Sequence, residues 1–287
     1  MATIKEFRTN NRPTWCPGCG DFAVLSSLQK ACADLDLKPE EVVLVSGIGC
    51  SGKIAQHFGS YGFHSLHGRA LPTAQGVKLA NQDLTVIAAG GDGDGYGIGV
   101  GHFIHAVRRN VDLTYIVMDN HIYSLTTGQL SPTSERGFKS KTSPQGSAEE
   151  PVKPLETAIV NGASFVAQAF SGDVQQMTRI FEEAIRHRGF ALVNCFSPCV
   201  TFNKVNTYDW FKENLVNVDE REDYDPTDRE GALRLIHETK GMVTGVLYRQ
   251  ERPVFHEVMI GASEVATAKV DLRMEEEKVQ ALLKSYR

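Results

Sequence analysis

The chain has 287 residues, 41% hydrophobic and 23% charged, enough to bury a full core as one large domain or as one domain with an extension. A net charge of −5 argues against nucleic acid as a partner, since a nucleic-acid binder carries a basic excess, and no apolar run approaches the roughly 18–20 residues of a membrane span. The opening MATIKEFRTNN lacks the apolar core of a signal peptide, so a cytoplasmic location is expected, and the six cysteines are expected as thiols or metal ligands rather than disulfides.

Residues 1–14 are polar, without apolar periodicity, and are expected as an extended arm. Trp15-Cys16-Pro17-Gly18-Cys19-Gly20 follows. Asp21 is placed to cap a helix, with Phe22, Leu25, Leu28, Cys32 and Leu35 at helical spacing; Cys32 on that stripe reads as core. Val42–Val45 is a short apolar run expected as a buried strand. It enters Ser46-Gly47-Ile48-Gly49-Cys50-Ser51-Gly52-Lys53-Ile54, a near match for the phosphate loop GxxxxGK[ST]. Gly47, Gly52 and Lys53 fit, but Ile54 stands where a Mg²⁺-binding hydroxyl is required. Such a glycine turn can still cradle an anion with backbone N–H groups. His57, His64 and His67 do not have the spacing of a closed zinc set, and His57 and His64 read as ordinary hydrogen-bonding loop residues. Thr73–Leu79 is a candidate helix leading to a strand at Thr85.

The stretch from Leu84 to Gly128 organises the rest. An apolar run (Val86, Ile87, Ala88, Ala89) ends in a glycine cluster containing Asp92 and Asp94; a helical segment follows, then Leu113–Met118, ending in Asp119 and Asn120. This is strand, tight turn, helix, strand, with polar groups at the carboxyl ends of both strands, where open α/β sheets bind ligands. Asp92 and Asn120 are 28 positions apart, about one βαβ unit, so neighbouring parallel strands bring them together. A carboxylate, an amide oxygen and a backbone carbonyl are hard oxygen ligands suited to Mg²⁺ on a phosphate. The dinucleotide fingerprint GxGxxG is absent from this glycine cluster.

Thr126–Pro154 loses all periodicity, and a loop of that length in a compact domain is usually functional or mobile. A strand (Ser164–Ala169), a helix (Asp173–Arg188) and a strand (Ala191–Phe196) follow, ending in Ser197-Pro198-Cys199. Later expected elements are a helix at Arg229–Thr239, a strand at Val243–Tyr248 and a helix at Met274–Leu283. No internal repeat is visible. The fold expected is a doubly wound, mostly parallel α/β sheet in residues 1–205, with 206–287 as a C-terminal extension packed on the same domain or on a partner subunit.

Cys16 and Cys19 form a CxxC pair without the preceding strand of a thioredoxin motif, and no second CxxC completes a zinc site. Cys50 and Cys199 sit where strands end on the ligand side of the expected sheet. Four thiolates converging there are consistent with a [4Fe–4S] cluster; a zinc site and unrelated cysteines remain open alternatives. Cys195 alternates with Val193 along its strand and reads as packing.

Gly91-Asp92-Gly93, followed by Asn120 and Ile122, resembles the Mg²⁺–thiamine diphosphate motif. Together with WCPGCG, GIGCSGK, HGRALP and SPCVTFN, the chain is similar to the beta subunit of 2-oxoacid:ferredoxin oxidoreductases over most of residues 12–205. The resemblance implies a sheet of the thiamine diphosphate-binding type. It implies that Cys16, Cys19, Cys50 and Cys199 ligate one [4Fe–4S] cluster, and that Asp92, Asn120 and the Ile122 carbonyl hold Mg²⁺. Ile48, Gly49, Cys50, Ser51, His67, Gly93, Asp94, Ser124 and Leu125 would contact thiamine diphosphate, with His67 and Lys53 as catalytic residues and Lys53 near the substrate carboxylate. Ser124 stands where the motif usually has glycine. The implied reaction is oxidative decarboxylation of a 2-oxoacid, 2-oxoglutarate or pyruvate, to acyl-CoA and CO₂, with single electrons passing to ferredoxin and coenzyme A taking the acyl group. The glutamate that activates thiamine is expected on a separate alpha subunit, making the enzyme a heterodimer at least. The competing readings are a non-redox thiamine diphosphate-dependent decarboxylase or synthase, and a zinc-stabilised binding module.

Overall fold

A strand that is apolar on both sides must be covered on both sides, and the apolar runs of this chain are arranged to meet that condition. The computed structural model describes residues 2–260, 267–269 and 273–286. Its elements are α1 (Asp21–Asp34), β1 (Val42–Ser46), α2 (Ile54–His57), β2 (Tyr61–His64), α3 (Ala70–Ala80), β3 (Thr85–Gly91), α4 (Val100–Arg109) and β4 (Leu113–Asp119), then a small hairpin of β5 (Ile122–Tyr123) and β6 (Gln129–Leu130). After a long irregular segment come α5 (Pro154–Val160), β7 (Phe165–Phe170), α6 (Val174–Arg186) and β8 (Phe190–Phe196). The last part holds α7 (Tyr208–Asn214), β9 (Val216–Asn217), α8 (Arg229–Glu238), β10 (Val243–Arg249), α9 (Phe255–Ile260) and α10 (Glu276–Ser285).

Eight strands make one sheet in the order β2-β1-β3-β4-β8-β7-β10-β9. From β2 to β7 every neighbouring pair is parallel; β10 joins β7 antiparallel, and β9 lies parallel to β10. This is the expected doubly wound, mostly parallel sheet. The pleat sorts β1 between two cores. Val43 and Val45 pack with Leu71 and Ala74 of α3 and Phe103 and Val107 of α4. Val42 and Leu44 pack with Val24 and Leu28 of α1 and Met177 and Phe181 of α6 on the opposite face. Because β2 and β3 flank β1 on opposite sides, the connections leaving β1 and β3 diverge, and a crevice opens at the carboxyl ends of these two strands. The sheet continues past residue 205, since β10 pairs along β7 and Leu235 and Ile236 of α8 join the core of α3 and α4. Among the described residues no helix is long and apolar enough to cross a membrane.

Several local expectations are corrected. The N-terminal arm is not extended: residues 4–7 form a turn, and Phe7 is buried with its ring 5.4 Å from that of Phe58. A single aromatic anchors it, which periodicity cannot reveal. Asp21 does not cap α1; Gly20 is the N-cap, and the Asp21 carboxylate accepts a 2.6 Å hydrogen bond from Ser197 Oγ. The helix expected from Thr73 begins at Ala70, because Pro72 falls in the first turn, where its missing N–H costs nothing. His57 is no loop residue but lies buried in α2, edge-on to Trp15. Strand β2 has no counterpart among the expected elements: all four of its residues are exposed on the sheet edge, so no burial pattern marks it. Cys32 and Cys195 are fully buried core, as read.

Ile116 lies fully buried in β4, the strand that carries Asp119 and Asn120. Ile116→Ala is expected to lower stability by about 2–5 kcal/mol, read as an earlier midpoint in urea unfolding. A change under about 1 kcal/mol would show that the core collapses around the gap.

Candidate active site

The parallel register of β3 and β4 pairs Gly91 with Met118, so the next residue on each strand, Asp92 and Asp119, end side by side. Both are buried, at 3% and 2% exposure. Thr133, arriving from the loop after the hairpin, sets its Oγ1 2.7 Å from Asp92 Oδ2 and 2.8 Å from Asp119 Oδ1. Asn194 of β8 donates to Asp119 Oδ2 at 3.3 Å and to Gln168 Oε1 of β7 at 2.9 Å. Gln168 in turn donates to the carbonyls of Gly241 and Val243. A buried polar chain thus runs from the end of β3 to the start of β10. Burial above all, and then the Asp119 carboxylate, hold Asp92 well above the usual carboxylate range.

Beyond Asp119 the chain reverses at His121, which takes a left-handed conformation (φ 60°). Ile122 N–H donates to Asn120 Oδ1 at 3.1 Å, and Ser124 Oγ reaches the Ile122 carbonyl at 3.4 Å. The Asn120 side-chain oxygen and the Ile122 carbonyl therefore share one short turn beside Asp92. Ser124 does not adopt the left-handed backbone that would call for glycine; Thr127 and Gly128 do.

Asp94 joins three loops. Its Oδ1 accepts hydrogen bonds from Ile48 N–H (2.9 Å), Gly68 N–H (2.7 Å) and His67 Nδ1 (2.9 Å). Its Oδ2 is buried with no hydrogen-bond partner among the described residues. A β-carbon at Gly47 would overlap the Asp94 carboxylate, so glycine is required there for the β1 loop to close on the β3 loop. The Gly93 loop is fixed likewise: Tyr123 OH donates to the Gly93 carbonyl at 3.1 Å, and its ring occupies the space of a Gly93 side chain. Ser51 is buried against Gly91. Ile48 and Leu125 remain exposed, at 36% and 47%.

Cys16, Cys19, Cys50 and Cys199 line one cavity of about 170 Å³, together with Lys53, Asn120, Ser124 and Leu125. Among the described residues no histidine or carboxylate lines it. Trp15 Nε1–H donates to the Cys50 carbonyl at 2.7 Å, tying the N-terminal CxxC segment to the β1 loop. Burial first, and then the Asp21 carboxylate, push the Cys50 thiol up to about 11, and the same two causes raise Cys19 further. Burial likewise pushes the Asp21 carboxyl up to about 6, against the opposing pull of Ser197, Cys19 and Lys53. Lys53 Nζ lies 3.5 Å from the Thr14 carbonyl in the cavity wall. Among the described residues, no three His, Cys, Asp or Glu side chains converge as ligands of a single ion.

The residues singled out from the sequence thus gather at the carboxyl ends of β1, β3, β4 and β8. Thr133, Asn194 and Gln168 join the site without belonging to any of the motifs, and Trp15, inside WCPGCG, joins it through its indole N–H. Asn194 and Gln168 carried a signal, being lone amides within the apolar strands FALVNCF and FVAQAF. Thr133 carried none, since its partners depend on strand register.

The family model described as “Thiamine pyrophosphate enzyme, C-terminal TPP binding domain” matches residues 47–195, and the model of the C-terminal part of the pyruvate ferredoxin oxidoreductase beta chain matches residues 199–264. The chain is 49% identical over 215 residues to a 2-oxoacid:ferredoxin oxidoreductase subunit beta of Saccharolobus solfataricus, covering 74% of this chain and 70% of that protein. It is 34% identical to a 2-oxoglutarate synthase subunit KorB of Methanocaldococcus jannaschii, covering 88% and 94%. Among solved structures it matches a 2-oxoglutarate:ferredoxin oxidoreductase from Magnetococcus marinus, determined with 2-oxoglutarate, coenzyme A and succinyl-CoA bound. That match has a TM-score of 0.90 and 39% identity, covering 98% of this chain and 96% of that one.

Asp94→Ala removes the acceptor shared by Ile48, Gly68 and His67. At about 1–3 kcal/mol for each buried donor left without a partner, it is expected to destabilise the chain clearly in urea unfolding, and Asp94→Asn, which keeps an acceptor oxygen, is expected to lose less. Equal losses would show that the charge of Asp94, rather than its acceptor geometry, holds the loops.

Proposed function

This chain belongs to the beta-subunit family of 2-oxoacid:ferredoxin oxidoreductases, and from that premise we propose that it forms, with an alpha subunit, a cytoplasmic enzyme that oxidatively decarboxylates a 2-oxoacid to acyl-CoA and CO₂ and passes single electrons to ferredoxin. The observation that carries this reading is that the buried Asp92 site and the four-cysteine cavity adjoin, with Asn120 and Ser124 belonging to both. Membership of an oxidoreductase family favours it over a non-redox decarboxylase and over a zinc-stabilised module.

The residues present fit the groups the family implies. Asp92, the Asn120 side-chain oxygen and the Ile122 carbonyl form a hard oxygen set suited to Mg²⁺, and a dication there would offset the burial and the Asp119 carboxylate that hold Asp92 above its usual range. Gly49, with φ 121°, and Gly93, whose missing side chain leaves room for Tyr123, keep the Ile48–Ser51 and Gly93–Asp94 backbone close enough to cradle a diphosphate. Cys16, Cys19, Cys50 and Cys199 offer sulfur alone. One zinc ion draws four ligands to a point, whereas a [4Fe–4S] cluster takes four thiolates around a volume, which suits thiols spread over a shared cavity.

Thiamine diphosphate supplies the carbon nucleophile and electron sink for decarboxylation, and the cluster supplies one-electron steps to a ferredoxin. The chain's own residues do the positioning. Lys53 brings a cationic head into the cavity that adjoins the cofactor, suited to a substrate carboxylate. Asp94 accepts His67 Nδ1–H and leaves Nε2 as the ring's basic nitrogen, on a side chain still 38% exposed. Ile48 and Leu125, exposed and apolar, border the site on the side left for the alpha subunit, which would contribute the activating glutamate. The neighbour bound to 2-oxoglutarate and the relative named 2-oxoglutarate synthase make 2-oxoglutarate the first substrate to test.

The alpha–beta complex purified anaerobically is expected to be brown, with about four irons per beta chain, and to reduce viologen with 2-oxoglutarate and coenzyme A. Asp92→Ala is expected to lose thiamine diphosphate while keeping its iron. Zinc without visible absorbance would overturn the cluster; thiamine diphosphate retained by Asp92→Ala would overturn the cation site; turnover by the beta chain alone would overturn the shared active site.

A further inference from the structure

The tetrapeptide Ser131-Pro132-Thr133-Ser134 lies in the loop between β6 and α5, outside every motif used so far, yet it touches the ends of both central strands. We propose that Thr133 is the positioning residue of the divalent-cation site, its hydroxyl fixing the Asp92 carboxylate at the end of β3 against Asp119 at the end of β4. The inference rests on the assignment of Asp92 as a cation ligand.

The two carboxylates are not equivalent. Asp119 has both oxygens engaged: Oδ1 by Thr133 at 2.8 Å and by His121 N–H at 3.3 Å, Oδ2 by Asn194 at 3.3 Å. It is an anchor, tied through Asn194 and Gln168 to the backbone of Gly241 and Val243. Asp92 is tied to this anchor through the 2.7 Å contact of its Oδ2 with Thr133. The Ser131 side chain of the same turn also acts on this carboxylate as a hydrogen-bond donor, and a ligand held in place by such contacts binds a metal more tightly than one that turns about its two side-chain bonds.

Thr133 can do this because it is itself held. It is 5% exposed. Ser131 N–H donates to Ser134 Oγ at 2.8 Å, Ser134 N–H donates to the Ser131 carbonyl at 3.1 Å, and Val152 N–H donates to the Pro132 carbonyl at 2.8 Å. Ser134 Oγ also donates to the His121 carbonyl at 2.7 Å, between Asn120 and Ile122. One short turn therefore pins the carboxylate on one strand end and the two-oxygen turn on the other.

The test uses the alpha–beta complex stripped of metal and titrated with Mn²⁺ with and without thiamine diphosphate, free Mn²⁺ being read by electron paramagnetic resonance and iron content serving as the check on folding. Thr133→Val is expected to weaken Mn²⁺ binding by about 10–100-fold with iron unchanged. Thr133→Ser, which keeps the hydroxyl, is expected to bind as the parent does. Should the valine variant not fold, Thr133→Cys, a weaker donor, is expected to fall between them. Parent-like affinity in Thr133→Val or Thr133→Cys, or an affinity in Thr133→Ser reduced about tenfold or more, overturns the positioning role alone. Mn²⁺ uptake by the parent complex that does not depend on thiamine diphosphate overturns the cation assignment beneath it.

Discussion

Two carboxylates forced side by side at the ends of adjacent parallel strands are the constraint around which this chain is built. Register puts Asp92 and Asp119 together, and burial makes that pairing costly unless the carboxylates find hydrogen-bond partners. The answers come from far away in sequence: Thr133 from the loop after the hairpin, Asn194 from β8, Gln168 from β7, and through it the backbone leading into β10. The late strand β10, which alone runs against its neighbour β7 in the main sheet, is thereby part of the support of a site that opens on the other side of the sheet's centre.

A second carboxylate settles a different problem. The crevice between β1 and β3 exists because their connections diverge, and diverging loops have no reason to stay together. Asp94 supplies one: a single oxygen accepts from the β1 loop, from the segment after β2 and from His67. Glycine at position 47 is the steric condition for that oxygen to be reached. The cradle and the cysteine cavity stay neighbours because Trp15 ties the N-terminal segment to the carbonyl of Cys50, the residue that closes the β1 loop.

The central unit was legible because its physics is local. Apolar runs in β1, β3, β4 and β8 stand out when both faces are buried, and glycine with aspartate marks a turn where backbone must come close to something else. Cys50 and Cys199 could be placed at strand ends for the same reason, and Cys195 could be set aside from its alternation. What escaped was decided by partners that the local sequence does not name. β2 has no buried face. Asp21 looks like a cap until Ser197, from the far end of the sheet, takes its carboxylate. Phe7 looks like part of a polar arm until Phe58 is beside it. Thr133 looks like loop until register brings β3 and β4 to the same height.

The cysteine cavity carries a consequence for how the protein is made. Its walls come from the segment at residues 14–19, the loop after β1, the turn after β4 and the segment at residues 199–202. A chain emerging from the ribosome presents Cys16, Cys19 and Cys50 early, with nothing opposite them, and the fourth wall arrives only when β8 has been synthesised and docked beside β4. The enclosure is therefore absent from any shorter nascent chain. Cys16 is the one of its four thiols that stays exposed to solvent once the enclosure is complete.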